Sequence, residues 1–303
     1  MCITNQEVYR IQDFVSFHEE SCLADSIVEP MRVYLSISGN NNEEAKKQAV
    51  LLYSLTYSVP TTVVLLNKLS EMKKDINEFW KKYKSKLLFQ SDRKYIKICN
   101  RFAKSYEDFW NNNIYEKLSE TEDFDKAIKI IENCYGFGRF SAFLFMETYG
   151  AVFGKKYTNN KLDWKNGATV TSGMFNVLGL DKKADEWDRE HILFCNPESL
   201  DKIADAILKV VSRGKELAVL ETNLCAYRKL FKGSRYLGYY SDRVLEEIYY
   251  TIEKFPECSK ELNLLFKARA MVIPEKYLGE KQGWKGIRKD MKKYYINNGV
   301  WRW

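Results

Sequence analysis

The sequence contains few residues that interrupt secondary structure. Only 5 prolines and 15 glycines occur among 303 residues, too few for a chain of many β-hairpins or for a long disordered linker. Hydrophobic residues make up 45% and charged residues 29% of the chain, which are globular values and allow a substantial core. The β-forming residues Val33-Tyr34-Leu35 favour one short extended segment, but no run of alternating strands is present. The sequence therefore predicts an all-α protein.

Long apolar runs are also missing. No stretch approaches the roughly 18 apolar residues that suggest a membrane span. The first residues, Met1 to Glu7, lack the basic flank and apolar core of a signal peptide. We therefore expect a cytoplasmic protein without a membrane partner.

Metal-binding and disulfide-forming residues are scarce or scattered. His18 and His191 are the only histidines, so a zinc site of His and Cys ligands would need widely separated residues. The seven cysteines contain no Cys-x-x-Cys pair, and their odd number does not suggest a disulfide framework. We expect reduced thiols and no cofactor.

The few breaks in hydrophobic periodicity divide the chain. Helical spacing over residues 43–69 is interrupted at Pro60. A basic helix is predicted through residues 95–110, and Ser119 to Glu122 has the pattern of a capping box before the next helix. Residues 154–181 contain several glycines and asparagines and predict a loop-rich insert with at most a short helix.

Positive charge is concentrated in two segments. Residues 68–105 contain 12 Lys/Arg against 4 Asp/Glu, and residues 280–303 contain 7 against 2, whereas residues 1–66 contain 4 against 8. Aromatic residues alternate with the basic ones in both segments, a composition suited to phosphate contacts and base stacking. The alternative is a solvated helix face whose aromatic residues point into the core.

A helix interrupted by Gly136-Phe137-Gly138 is the most specific local feature. Helical spacing stops at Gly136 and an apolar helix begins again after Gly138. A new helix N-terminus presents backbone N–H groups and a positive dipole to a phosphate oxygen, and Arg139 would add a charge there. The alternative is an ordinary tight turn between two helices.

The segment Tyr135-Gly136-Phe137-Gly138-Arg139-Phe140-Ser141-Ala142 resembles the hairpin of the helix-hairpin-helix DNA glycosylases. The resemblance implies two helical lobes with a cleft between them, and DNA contacts from Gly136, Phe137, Gly138 and Arg139. It also implies a catalytic carboxylate downstream, which here is Asp163, with Lys161 as a further DNA contact. The carboxylate would activate water or stabilise positive charge on the sugar.

Two further observations bear on catalysis. Glu147 lies on the apolar helix after the hairpin, where an unpaired carboxylate is costly, so it is either bonded to a basic neighbour or catalytic. The four clustered cysteines of the iron–sulfur glycosylases are absent, and no lysine occupies a clear lyase position beside the hairpin. The resemblance therefore implies a monofunctional enzyme.

A second resemblance concerns residues 120–245. The stretches Asp163-Trp164-Lys165-Asn166-Gly167, Ser172-Gly173-Met174 and 221–243 resemble the α-glutamyl/putrescinyl thymine pyrophosphorylase group, whose members are associated with hypermodified bases in phage DNA. Such enzymes must flip a base out of the helix. The resemblance implies a pocket for that base, formed by Trp164, Glu221, Tyr227, Arg228, Arg235, Tyr236, Tyr239, Asp242 and Arg243. The alternatives are a tyrosine-rich core and internal ion pairs, for example of Arg243 with Asp242 or Glu246.

These observations support three hypotheses. The first is a monofunctional DNA glycosylase that excises a modified pyrimidine, hypermodified or glycosylated, from double-stranded phage DNA and leaves an abasic site. The second is an amino acid:DNA transferase acting on 5-hydroxymethyl pyrimidines, and the third is a non-catalytic DNA-binding module. No obligate protein partner is evident. We expect one two-lobed helical domain over residues 1–303, with the hairpin and catalytic region at about 120–245 and a basic aromatic tail at 280–303.

Overall fold

The computed structural model describes residues 5–20, 28–90, 93–98, 100–155, 161–164, 167–178, 197–211, 216–231 and 239–273. Within these ranges the chain forms α-helices and short connections, and no β-strand. The all-α prediction is confirmed for them. The helices are α1 (Asn5–Glu20), α2 (Val28–Ile37), α3 (Glu43–Thr56), α4 (Val59–Asn67), α5 (Leu69–Lys74), α6 (Ile76–Tyr83), α7 (Lys94–Ile98), α8 (Phe102–Asn111), α9 (Ile114–Ser119), α10 (Phe124–Glu132), α11 (Arg139–Phe153), α12 (Ala168–Val177), α13 (Pro197–Val210), α14 (Leu217–Phe231), α15 (Tyr239–Lys254) and α16 (Ser259–Val272).

The chain divides into two compact units. One combines Ser26–Thr158 with Tyr240–Val272 and is called the hairpin unit, because it contains Gly136 to Gly138. The other combines Met1–Asp25, Asn159–Tyr239 and Ile273–Trp303 and is called the Asp163 unit. The turn predicted to bind DNA and the carboxylate predicted to act with it therefore belong to different units.

The core of the hairpin unit is built around α3 and α4. Every residue from Gln48 to Thr56 is buried, so α3 is covered on all sides. Such a helix needs partners all round, and α3 packs against α4, α8 and α11. Its buried polar groups are satisfied, since Tyr106 donates to Gln48 Oε1 at 2.8 Å and Thr56 donates to the Leu52 carbonyl at 2.9 Å. This buried helix provides the support for α11, the helix that follows the hairpin.

Local capping explains the break between α3 and α4. The Asn42 side chain accepts the Ala45 N–H at the start of α3, and Tyr57 ends the helix in the left-handed region at φ +53°. Ser58 then caps α4, with Pro60 in the first turn where its missing N–H costs nothing. The interruption predicted at Pro60 is confirmed.

Three local predictions need correction. Val33 to Leu35 lies within α2, where Tyr34 and Leu35 are buried in a helix packed against α16, so the extended segment is wrong. The basic helix predicted at 95–110 is divided into α7 and α8, and Asn100 between them has φ +53°. Ser119 is the last residue of α9, and the cap of α10 is instead Asp123, which accepts the Lys126 N–H at 2.8 Å.

The described part of the Asp163 unit consists of α1, α12, α13 and α14, which contact one another. α12 and α14 cross in backbone contact, since a Cβ on Gly173 would lie 2.2 Å from the Leu224 carbonyl oxygen. α12 is a ten-residue helix inside the segment predicted to be loop-rich. Among the described helices, none is long and apolar enough to cross a membrane.

Candidate functional site

The predicted hairpin is a six-residue connection, Asn133 to Gly138, between α10 and α11. These two helices pack against each other. α10 ends at Glu132, earlier than the predicted stop at Gly136. Gly136 has φ +83°, and a Cβ there would lie 2.4 Å from Ser105 Oγ. Both the backbone conformation and the close packing therefore require glycine at position 136.

Internal hydrogen bonds fix the turn. Asp108 accepts the Tyr135 N–H at 2.7 Å, and the Gly136 carbonyl accepts from Tyr95 and, at 3.2 Å, from Arg93 Nη1. The Gly138 N–H donates to Ser141 Oγ at 2.8 Å, so it is not available to a ligand. The amides that remain for a phosphate lie in the first turn of α11, where a helix provides no internal acceptor.

Gly138 differs from Gly136 in its surroundings. It is exposed, its φ is −113°, and a Cβ built on it would meet nothing within 4 Å. Neither backbone strain nor packing within the described structure requires glycine there. Gly138 is the N-cap of α11, a position at which glycine is favoured but not required.

Exposed cations and aromatic rings surround the turn. Lys104 Nζ lies 4.0 Å from the ring centre of Tyr135, and the Arg101 guanidinium lies 5.7 Å from it. Arg139 is exposed and only 4.0 Å from Asp125 Oδ1, a loose pair of two solvated side chains. Phe140 is 59% exposed. We call Arg101, Lys104, Tyr135, Gly138, Arg139 and Phe140 the hairpin surface.

Phe137 has a different environment from the rest of the turn. Its ring is buried and contacts Phe109 and Phe145, with ring centres 5.7 and 6.2 Å away. The Arg93 guanidinium lies 5.2 Å from the ring centre on another side. Phe137 therefore anchors the turn to the core, and any contact that it makes with DNA is through its backbone.

A buried carboxylate in the hairpin unit was not anticipated from the sequence. Glu247 of α15 accepts a hydrogen bond from Ser58 Oγ at 2.9 Å and another from the Gln90 amide. Arg243 Nε, one turn earlier on α15, lies 3.2 Å from its Oε1. Burial raises the pKa of Glu247 to about 7, although the Arg243 charge and the Ser58 hydrogen bond act in the opposite direction. Its carboxyl group therefore exchanges a proton near neutral pH, as a general acid or base must.

Arg243 and Glu147, both predicted site residues, lie in this same part of the hairpin unit. The charges of Glu147, Glu247 and Arg243 all act on the buried hydroxyl of Tyr53, whose pKa is raised well above its ordinary value mainly by burial. The Arg243 guanidinium also lies 5.7 Å from the ring centre of Tyr57. Arg243 thus pairs internally, with Glu247. The signal in the sequence was the spacing Arg243-x-x-x-Glu247, which places both on one helix face.

Asp163 lies in a short half-buried connection before α12. Its carbonyl accepts the Gly167 N–H at 2.7 Å, and a Cβ on Gly167 would lie 2.6 Å from that oxygen. Trp164 is buried and donates from Nε1 to Asp201 Oδ1 at 2.7 Å. Trp164 therefore fixes the position of Asp163 against α13, while Lys161 is exposed.

Three predicted pocket residues share α14 with Asn223. Tyr227 is buried with its ring 5.3 Å from that of Phe14, Glu221 is half-buried, and Arg228 is buried. Asn223 is fully buried and donates to Glu19 Oε1 and to the Val219 carbonyl, both at 2.9 Å. His18 Nδ1 lies 2.9 Å from Asn223 Oδ1. Burial lowers the pKa of His18 to about 4, so its ring is neutral at pH 7.

The remaining predicted residues fall outside the described part of the structure. They are Arg235 and Tyr236, the side chains of Tyr239 and Asp242, and the basic aromatic tail at 280–303. Within the described residues, no group of three His, Cys, Asp or Glu side chains is placed to hold a metal ion. Cys134, Cys225 and Cys258 are free thiols.

Comparison of the chain with protein-family models, with curated proteins and with solved structures gives no significant match.

Proposed function

We propose that this protein is a monofunctional DNA glycosylase of the helix-hairpin-helix type, which excises a modified pyrimidine from double-stranded DNA and leaves an abasic site. The observation that carries the proposal is the exposed position of Gly138 at the start of α11. Gly136 is required by its φ and by packing, whereas Gly138 is an exposed N-cap at which several other residue types would serve. A Cβ on Gly138 would meet nothing within 4 Å, so the first turn of α11 is open to a phosphate backbone.

The charges around the turn support DNA as the ligand. Arg101, Lys104 and Arg139 are exposed, and the first two lie over Tyr135. Three cations beside a helix N-terminus add to the dipole attraction for phosphate. Such contacts position a duplex without reading its sequence, so the choice of base belongs to other residues.

Asp163 is the proposed catalytic carboxylate. Two features hold its backbone, namely the Gly167 N–H on its carbonyl and the neighbouring Trp164 anchored on Asp201. Precise placement of the carboxylate is what stabilisation of a cationic sugar requires. Glu147 remains a second proposed carboxylate, in the hairpin unit.

The first experiment tests the reaction. Purified protein is incubated with phage DNAs that carry different modified pyrimidines, and the products are analysed for abasic sites and by nucleoside mass spectrometry. The proposal expects abasic sites with release of a free base, and Asp163→Asn is expected to lose this activity while still binding DNA. A gain in nucleoside mass without abasic sites would identify a transferase instead, and absence of both would refute enzymatic action on these DNAs.

A second experiment tests the hairpin separately from the chemistry. Gly138→Val places a branched side chain at the exposed turn in an extended conformation that valine tolerates. We expect weaker DNA binding with only a small decrease in Tm, since valine is a poorer N-cap than glycine. Arg139→Ala should reduce the salt dependence of binding by about one phosphate contact. Asn41→Val, an uncharged change at an exposed position between α2 and α3, is the control. Equal binding by Gly138→Val and the control would mean that the turn is only structural.

A further inference from the structure

A buried arginine without a counter-charge lies in the Asp163 unit. Arg228 is only 7% exposed, and its Nε is buried without a hydrogen-bond partner. Among the described residues no carboxylate forms an ion pair with it. Burial of an ionised group without a partner costs several kcal/mol. A ligand that supplies the missing negative charge would remove this cost.

Two acids of the Asp163 unit are engaged with other residues. Glu19 accepts from Asn223, and Asp201 accepts from Trp164. α12 contains no charged residue, and Glu221, the only acid of α14, precedes Arg228 by about two helical turns. His18 is neutral at pH 7 because burial lowers its pKa to about 4. Arg228 therefore contributes a positive charge that no residue in the described part of this unit balances by an ion pair.

A second buried polar atom lies close to the same place in the fold. α12 and α14 touch where Gly173 meets the Leu224 carbonyl. Arg228 follows Leu224 by four residues and Asn176 follows Gly173 by three, so each lies within about one turn of the crossing and on the face that forms it. Asn176 is 6% exposed, and its Oδ1 is buried without a partner. We call Gly173, Asn176, Leu224 and Arg228 the crossing site.

We propose that the crossing site binds a phosphate group, with the Arg228 guanidinium as its cation and the Asn176 amide as a neutral hydrogen-bonding partner. Guanidinium presents its N–H donors in a fork that matches phosphate oxygens. The Asn176 Oδ1 can only accept, so its partner is the hydroxyl of a monohydrogen phosphate, while the guanidinium donates to the other phosphate oxygens. Gly173 allows the two helices to approach closely enough to bring both side chains to one crossing. This site is separate from the hairpin surface and does not depend on glycosylase activity.

The test measures thermal unfolding with inorganic phosphate against chloride at equal ionic strength. Binding to the folded state alone raises Tm as phosphate concentration rises. We expect this increase in the wild type, and its loss in Arg228→Met, which removes the charge but keeps an apolar side chain. Lys209→Met removes an exposed cation from α13 of the same unit and should retain the full increase. Because Arg228 is uncompensated, Arg228→Met should not unfold at a lower Tm in chloride.

Two further ligands identify the source of the phosphate, and a second variant provides the test if Arg228→Met does not fold. A larger shift with 2′-deoxycytidine 5′-monophosphate than with inorganic phosphate would indicate a nucleotide ligand, and equal shifts would indicate the free anion. 2′-Deoxycytidine, which lacks the phosphate, should give no shift. If Arg228→Met fails to fold, Asn176→Leu should still fold and show a reduced phosphate response.

The proposal is overturned if phosphate leaves the wild-type Tm unchanged, or if Arg228→Met responds as strongly as Lys209→Met. A response to 2′-deoxycytidine equal to that of the nucleotide would also overturn it. The abasic-site assay is independent of these results. If the phosphate-dependent rise in Tm is lost in Arg228→Met but the wild type forms no abasic product, the crossing-site proposal stands and the glycosylase proposal is refuted.

Discussion

Replacing Glu247 with glutamine removes the buried carboxylate of the hairpin unit while preserving its shape. The Gln side chain can still accept from Gln90, and its amide can donate to Ser58 Oγ. At low pH the Glu247 carboxyl group of the wild type is protonated in both the folded and the unfolded chain. The unfolding free energies of wild type and Glu247→Gln should therefore depend on pH in the same way there. A difference between these free energies that develops at higher pH reports the cost of ionising Glu247 inside the protein.

The expected magnitude follows from the pKa of Glu247. Raising this pKa from 4.5 to about 7 makes the carboxylate about 3 kcal/mol less stable in the folded than in the unfolded chain. The folded state binds the Glu247 proton more tightly than the unfolded state does. The stability that the protonated carboxyl group contributes is therefore fully present below pH 4.5 and is lost as pH rises through about 7. The stability of Glu247→Gln relative to wild type should therefore increase by about 2.5 kcal/mol between about pH 5 and about pH 8.

Urea unfolding followed by circular dichroism at several pH values measures this difference. Glu253→Gln is the matched control, because it makes the same chemical change at an exposed position of the same helix that does not act on Glu247. The control should unfold with the pH dependence of the wild type. A pH-independent difference between Glu247→Gln and wild type, or one that shrinks as pH rises, would refute the assignment of a raised pKa to Glu247.

Two further predictions concern the Asp163 unit. Burial lowers the pKa of His18 from 6.5 to about 4, so between these pH values the unfolded chain binds the His18 proton and the folded chain does not. The free energy of unfolding should therefore fall by up to about 3 kcal/mol as pH decreases from about 6.5 to about 4. His18→Gln, compared by urea unfolding between about pH 4 and about pH 7, should lose this dependence; an unchanged pH profile would contradict the prediction. Gly173→Ala should lower Tm markedly, since its Cβ would lie 2.2 Å from the Leu224 carbonyl oxygen, whereas Gly138→Ala should lower Tm only slightly. Similar Tm values for the two alanine variants would show that α12 and α14 do not need this close approach.

The sequence was sufficient to predict the helical class of the described residues and the break between α3 and α4. The break at Pro60 depends on local backbone chemistry that single residues determine. The errors occurred where distant packing dominates. Residues 33–35 have β-forming side chains, but they form a helix because α16 covers Tyr34 and Leu35.

The candidate site was less predictable than the fold. The role of Gly136 depends on Ser105, which is 31 positions away in the chain, and the environment of Glu247 depends on Ser58 and Gln90. Such long-range contacts leave no local pattern in a single sequence. Arg228 was predicted from a resemblance of residues 221–243, and only its burial distinguishes it from an exposed arginine on a helix face.

Glu247 and the hairpin are connected through one short segment. Gln90 donates from its side chain to Glu247, and its carbonyl accepts the Arg93 N–H at 2.8 Å. Arg93 in turn donates to the Gly136 carbonyl. A change at Glu247 can therefore move the turn without touching DNA, so weaker DNA binding by a Glu247 variant would not identify Glu247 as a DNA contact. Gly138 is the better test of the interface, because no packing contact transmits a change there to the rest of the unit.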